Sequence, residues 1–370
     1  MATRGSLLLA ALVACTPREA DVSAAPSSAS PLASSLASAP SVSAPVASHA
    51  VPLPPPVVVP DEGDFAVIDL HVDTPWQIHF KDKPRDLSEG HATLERLREG
   101  HYAGIVYPIY IPDYLHDSHP TIADADAILA TVQQLIANHE LLHAVSEGPA
   151  PRGSVGVFVA IEGAGAFAED ITQIDRFIAS GVRLVGPVHA RDNALATSAT
   201  GKGSGGLSDL GKRFCERVYR AGALVDVSHM SDASFADLVP IARAAHAPIV
   251  ATHSNARAVA DNPRNLTDEQ LRIIGETNGV AGLNLHRNFV AQGRARMKEV
   301  VAQVKHMVEV AGIDHVAIGS DFDGGTPVGA IEHAGKFPAL AAALREAGFS
   351  DPDIRKIFAK NALRILRWRP

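Results

Sequence analysis

Residues 222–265 read GALVDVSHMSDASFADLVPIARAAHAPIVATHSNARAVADNPRN, and one device occurs in them twice: an apolar run that ends in a histidine. Ala223 to Val227 closes with Ser228 and His229, and Pro248 to Ala251 leads through Thr252 to His253. Between them Ser231 can cap a helix whose Phe235, Leu238, Val239 and Ala242 recur at helical spacing on one face. Strand, helix, strand predicts a parallel βαβ unit, which sends His229 and His253 out at the same, C-terminal, edge of the sheet, where α/β proteins keep their sites. A lone strand-end histidine is usually a satisfied structural residue. Two in register on neighbouring strands bring imidazoles within reach of one zinc-class ion.

The same pattern runs through the rest of the folded part. Apolar runs at 65–71, 104–110, 155–161, 182–188, 279–285 and 315–320 end at or near His71 and Asp73, Tyr110, Glu162, His189, Asn284 and His286, and Asp321. Helix-like segments at 121–145, 170–180, 208–221, 231–245, 267–277 and 296–311 lie between them, with Thr267 and Gln270 placed for a capping box. Eight strands with intervening helices predict a (β/α)8 TIM-type barrel over 64–370, with helices in the tail from Ala334 packed on it. An open doubly wound sheet would need a glycine-rich phosphate turn after its first strand, and Ile68-Asp69-Leu70-His71 is not one. The run Gly201-Lys202-Gly203-Ser204-Gly205-Gly206 follows a loop rather than a strand and reads as a flexible loop at the barrel mouth.

Of the 370 residues 46% are hydrophobic and 20% charged, enough for a large core. A net charge of −8 without a basic run argues against a nucleic-acid surface, and two cysteines cannot form a disulfide framework. Arg4, the apolar Leu7 to Val13 and then Leu12-Val13-Ala14-Cys15 resemble a bacterial lipobox. That resemblance implies a signal peptide over 1–15, acylation of Cys15, and an exported lipoprotein anchored on the periplasmic or cell-surface side of a membrane. Residues 16–63, rich in Ser, Ala and Pro, have the composition of a disordered tether.

Collected at one end of a barrel, His71, Asp73, Glu162, His189, His229, His253 and Asp321 are too many ionisable groups to sit together without a cation. Histidines with carboxylates suit zinc or a similar divalent ion, and one carboxylate can bridge two. The spacing of His71 and Asp73 puts both on one side of an extended strand. Through Asp69-Leu70-His71-Val72-Asp73-Thr74-Pro75-Trp76, Ile161-Glu162-Gly163, Val225-Asp226-Val227-Ser228-His229, Thr252-His253-Ser254-Asn255-Ala256-Arg257, Pro263-Arg264-Asn265-Leu266-Thr267-Asp268 and Gly319-Ser320-Asp321-Phe322-Asp323-Gly324, the sequence resembles the membrane dipeptidase (renal dipeptidase-like) family of the amidohydrolase superfamily. The match runs through most of 64–330.

The resemblance implies two zinc ions, one held by His71 and Asp73, the other by His229 and His253, with Glu162 bridging them. It further implies that His189 contacts the scissile carbonyl, that Arg264 receives the substrate carboxylate, and that Asp321 moves protons while a metal-bridging hydroxide attacks a dipeptide. By analogy it admits a homodimer. Departures are Leu70 and Val72 around His71, where the family more often has Gly and Asn, and the run Leu184 to Val188 before His189. From the residues alone, Asp321 also fits a metal ligand or a hydrogen-bond acceptor, and Arg264 a surface arginine. The alternative functions are a metal-dependent hydrolase of another amide, such as an N-acyl amino acid or lactam, and a non-catalytic lipid-anchored binding protein.

Overall fold

The computed structural model describes residues 65–146 and 150–370. Cys15, the expected signal peptide over 1–15 and the expected tether over 16–63 lie outside the described residues, as does Asp64. The strands are short and apolar: β1 (Val67–Asp69), β2 (Tyr102–Tyr110), β3 (Leu142–Ala144), β4 (Val155–Glu162), β5 (Val182–Gly186), β6 (Leu224–Val225), β7 (Val250–Ala251), β8 (Val280–Leu283) and β9 (Val316–Ile318). Nearly every residue in them is buried, as expected for parallel strands covered on both faces.

The pairings are parallel and run β6-β5-β4-β2-β1-β9-β8-β7. A bridge between Asp226 and Val250 and the bond from Val227 N–H to the Val250 carbonyl at 2.8 Å join β6 to β7 and close the ring. The result is an eight-stranded parallel barrel wrapped by helices, the α/β architecture that the alternating pattern predicts. Ser231 caps its helix through the Ser234 N–H, and Thr267 and Gln270 form the expected capping box. Gly282 and Gly319 both face the Thr252 carbonyl oxygen so closely that a Cβ at either would collide with it. Their lack of a side chain lets β8 and β9 crowd the turn that carries His253.

The expected helix over 121–145 is shorter. It ends at Asn138, His139 is extended, and 142–144 form β3, which pairs with Val155–Val157 at the start of β4. The tail is helical at Phe337–Glu346 and from Asp351 to Leu366. Phe358 packs edge-on against Phe65 with ring centroids 4.9 Å apart, so the tail covers the end of the barrel where β1 begins, opposite the polar strand ends. No helix among the described residues is long and apolar enough to cross a membrane.

Candidate active site

The strand ends converge on Glu162, the last residue of β4. Its Oε1 lies 3.0 Å from His229 Nε2 and 3.5 Å from His253 Nε2, while Oε2 lies 3.4 Å from His71 Nε2, which is 3.3 Å from Asp73 Oδ2. The two oxygens thus face two different sets of side chains. His71, Asp73, Glu162 and His253 are all 5% exposed or less, so this is an interior cluster. Asp321, after β9, sits at φ 61°, with its N–H bonded to the His71 carbonyl at 3.1 Å and Oδ2 accepting from Asn284 at 3.0 Å. A left-handed aspartate is tolerable and uncommon, and here it turns the carboxylate back toward His71 and Asp73.

The charges are unbalanced as they stand. Burial would lower the His71 imidazole, but the carboxylates of Glu162 and Asp73 hold it well above its ordinary value, so a proton occupies a position suited to a cation. Burial and the neighbouring Asp73 push Asp321 up to about 6. His229 and His253 go the other way. Burial, with Arg264 and His189 beside His229 and with His71 beside His253, keeps both well below the usual histidine range, hence neutral with lone pairs available. Their Nε2 atoms are 2.9 Å apart.

Three groups bring ligand atoms within 4.8 Å of one another: His71, Glu162 and His253; Glu162, His189 and His229; and His71, Asp73 and Asp321. Neutral imidazoles and carboxylates are the donors a zinc-class ion uses, and Glu162 belongs to two of the groups. The residues therefore fit a metal. His189, expected as a substrate contact, is thereby also within reach as a ligand; its ring lies between Tyr110 and His229, at centroid distances of 4.5 and 4.3 Å.

Arg264 is drawn inside rather than left on the surface. It is 5% exposed, its Nη2 stands 3.1 Å from His229 Nε2, its Cζ stacks 5.5 Å over the Phe289 ring, and Nη1 is buried without a partner. Burial lowers it to about 10, still charged at neutral pH. These groups, with Trp76, Pro263 and His286, line a cavity of about 480 Å³, the size of a small-molecule site.

Residues 62–368 match the family described as membrane dipeptidase, peptidase family M19. The chain belongs to the membrane dipeptidase family. It is 29% identical over 328 residues to dipeptidase verJ of Clonostachys rogersoniana, covering 82% of this chain and 84% of that one. An uncharacterized protein in the pqqA 5' region of Klebsiella pneumoniae is 36% identical over 218 residues, 56% of this chain and 79% of that protein. Among solved structures, a metallopeptidase from Rhodobacter sphaeroides liganded with a phosphinate mimic of the dipeptide L-Ala-D-Ala superposes with a TM-score of 0.74 at 28% identity, covering 83% of this chain and 100% of that one. The dipeptidase AC, a family M19 metallopeptidase, gives 0.73 at 29% identity, over 83% and 99%. The chain is thus an enzyme of the metallo-dipeptidase type.

Around the family's site the structure adds residues that the sequence reading passed over. Asp226 is buried and accepts from the N–H and hydroxyl of Ser228 at 3.0 and 2.6 Å and from those of Thr252 at 3.0 and 2.5 Å. With its hydroxyl proton given to Asp226, Thr252 Oγ1 is an acceptor for the His253 Nδ1–H at 2.7 Å, which fixes the tautomer and points the Nε2 lone pair at Glu162. Asp113 Oδ2 lies 3.4 Å from His189 Nδ1. The signal for Asp226 was its place two residues before Ser228, the spacing of an Asx turn.

His79, His306 and His101 have structural partners in Thr131, Asp268 and Phe65, and Cys215 is fully buried in its helix. The glycine run at 201–206 is held by a carboxylate of its own: Lys202 and Gly203 donate to Asp192 Oδ2 at 2.9 and 2.7 Å. Only Thr200, just before it, reaches the cavity.

Proposed function

We propose that this enzyme hydrolyses the peptide bond of dipeptides with two zinc ions, one at His71 and Asp73, one at His229 and His253, and Glu162 shared between them. The observation that carries the reading is the division of the Glu162 oxygens between those two sets. Bound there, a divalent pair would make hydroxide available near neutral pH and draw electron density from the peptide carbonyl. Asp321, which lines the cavity with its carboxylate beside His71 and Asp73, takes the proton from the attacking water and returns it to the amine nitrogen as the C–N bond breaks. His189 donates to the carbonyl oxygen as it gains charge. Arg264, charged, buried and with Nη1 unpartnered, receives the free carboxylate of the substrate.

That clamp suits dipeptides and N-acyl amino acids alike, since both end in a free carboxylate; membership of the dipeptidase family favours the dipeptide, and the intact donor set favours catalysis over a binding protein. Metal-quantified protein should hold about two ions and cleave a panel of dipeptides, L-Ala-D-Ala included. Fewer than one ion after zinc addition, or cleavage of amides but no dipeptide, refutes the reading. We also propose that residues 1–15 direct export and lipidation at Cys15, with 16–63 as tether to a barrel domain over 64–370. Cys15→Ser should then leave the membrane fraction, and unchanged fractionation refutes that anchor.

A further inference from the structure

Behind the wall of the active cavity lies a second, larger groove of about 1140 Å³, and its charge opposes that of the chain. The protein carries −8, yet the groove presents Arg96, Arg287, Arg294 and Arg296 against the carboxylate of Glu332. Arg287 and Arg294 are exposed and have no acidic partner among the described residues. Arg296 shares Glu299 at 3.5 Å, and Arg96 gives Nη1 to the Gly90 carbonyl. Helix Met297–Ala311 starts here, with Arg296 at its N-cap, so its positive end adds to the same field, offset in part by Glu299.

The wall of the groove that carries Arg287 is held by backbone bonds. Arg287 N–H bonds the Thr326 carbonyl at 3.0 Å, Val328 N–H bonds that of Leu285 at 2.9 Å, and His286 bridges Pro327. Exposed guanidiniums without an acidic partner, gathered in one groove, raise the local concentration of anions there. Guanidinium forks match phosphate oxygens in geometry. No Phe, Tyr or Trp is among the lining residues, so the stacking surface that nucleobases use is missing.

We propose that this groove binds a phosphate-bearing anion, either a soluble phosphoester or the headgroup of an anionic phospholipid. The test uses the full chain, metal-loaded, with two probes: sn-glycerol 3-phosphate followed by calorimetry at low salt, and vesicles of phosphatidylglycerol against vesicles of phosphatidylcholine in sedimentation. The wild type should bind at least one probe saturably and lose that binding as salt rises. Arg287→Gln with Arg294→Gln should weaken it by roughly tenfold or more, the loss of charge-assisted hydrogen bonds, with turnover of dipeptides and melting temperature unchanged. Both side chains are exposed, and Arg294→Gln alone serves if the pair lowers the melting temperature. Glu162→Gln should leave the binding intact. Binding of the phosphoester without preference between vesicles identifies a soluble ligand; preference for phosphatidylglycerol identifies a membrane. Failure to bind either probe, equal binding by wild type and the arginine variants, or loss in Glu162→Gln alone overturns the proposal.

Discussion

On one side of Glu162 stand His71, Asp73 and Asp321, on the other His229, His253 and Arg264, and the two sides differ in sign before any ion is bound. The first is short of positive charge: His71 is held protonated, and Asp321 is driven up to about 6. The second already carries a guanidinium, and its imidazoles are held neutral. A cation on the first side would relieve repulsion among carboxylates, whereas on the second it would need imidazole lone pairs, of which the Asp226–Thr252 clasp aims the one on His253. One side therefore depends on charge and the other on tautomer and orientation.

Glu162→Gln tests whether the sides are joined, and it should have the largest effect. The amide keeps the shape but loses a charge that both sides share. Metal content should fall toward zero at once, with a drop in kcat/KM beyond the ~10- to 100-fold typical of losing an outer partner. Loss of one ion only, in quantified protein, would break the comparison at its centre. Next come the mirrored changes Asp73→Asn and His253→Ala, each expected to leave about one ion. They should differ in which ion remains: the histidine side kept in Asp73→Asn should prefer zinc, and the carboxylate side kept in His253→Ala should accept manganese more readily. Identical metal preferences in the two variants would contradict the difference in sign.

A smaller effect is expected at Asp226, which touches no ligand directly. Asp226→Asn can still accept from Ser228 and Thr252, but its charge no longer holds the Thr252 hydroxyl proton, so His253 loses its fixed acceptor. Affinity at the His229–His253 side should fall by about 10- to 100-fold, with the His71–Asp73 side unaffected. Metal titration of Asp226→Asn beside wild type reads this as one weakened binding phase. Two equally weakened phases would mean that Asp226 supports the barrel as a whole.

The asymmetry explains what could be read from the sequence. Parallel strands buried on both faces appear as plain apolar runs, and the polar residue that ends each run is the one the barrel delivers to its mouth; His71, Glu162, His229, His253 and Asp321 were visible for that reason. The Asp226 clasp, Asn284 on Asp321 and Asp113 beside His189 were not, because each depends on which strand lies next to which. Strand β3 escaped for a related reason. Leu141-Leu142-His143-Ala144-Val145 continues an apolar helical pattern, and only pairing with Val155–Val157 makes it extended. The glycine run at 201–206 was recognised as a loop, but not its anchor, since Asp192 lies well outside the run.

The smallest effect is expected at Arg264, and it concerns what the cationic side does for the substrate. Its Nη2 stands beside His229, while Nη1 is buried with no partner, so one arm of the fork is spoken for and the other is open. Arg264→Lys keeps the charge and loses the fork, and kcat/KM should drop about tenfold, equivalent to ~1.4 kcal/mol. If the substrate carboxylate meets this fork, the contact also orients the peptide bond, so kcat should fall as well as KM rise. Amidating the C-terminus of the dipeptide removes the partner instead of the clamp. If the two meet, wild type should lose a similar factor on amidation and the variant much less, because the contact is already gone. Two losses that simply multiply, or equal cleavage of free and amidated dipeptides by wild type, would place the substrate carboxylate elsewhere and leave Arg264 as a device that keeps His229 unprotonated.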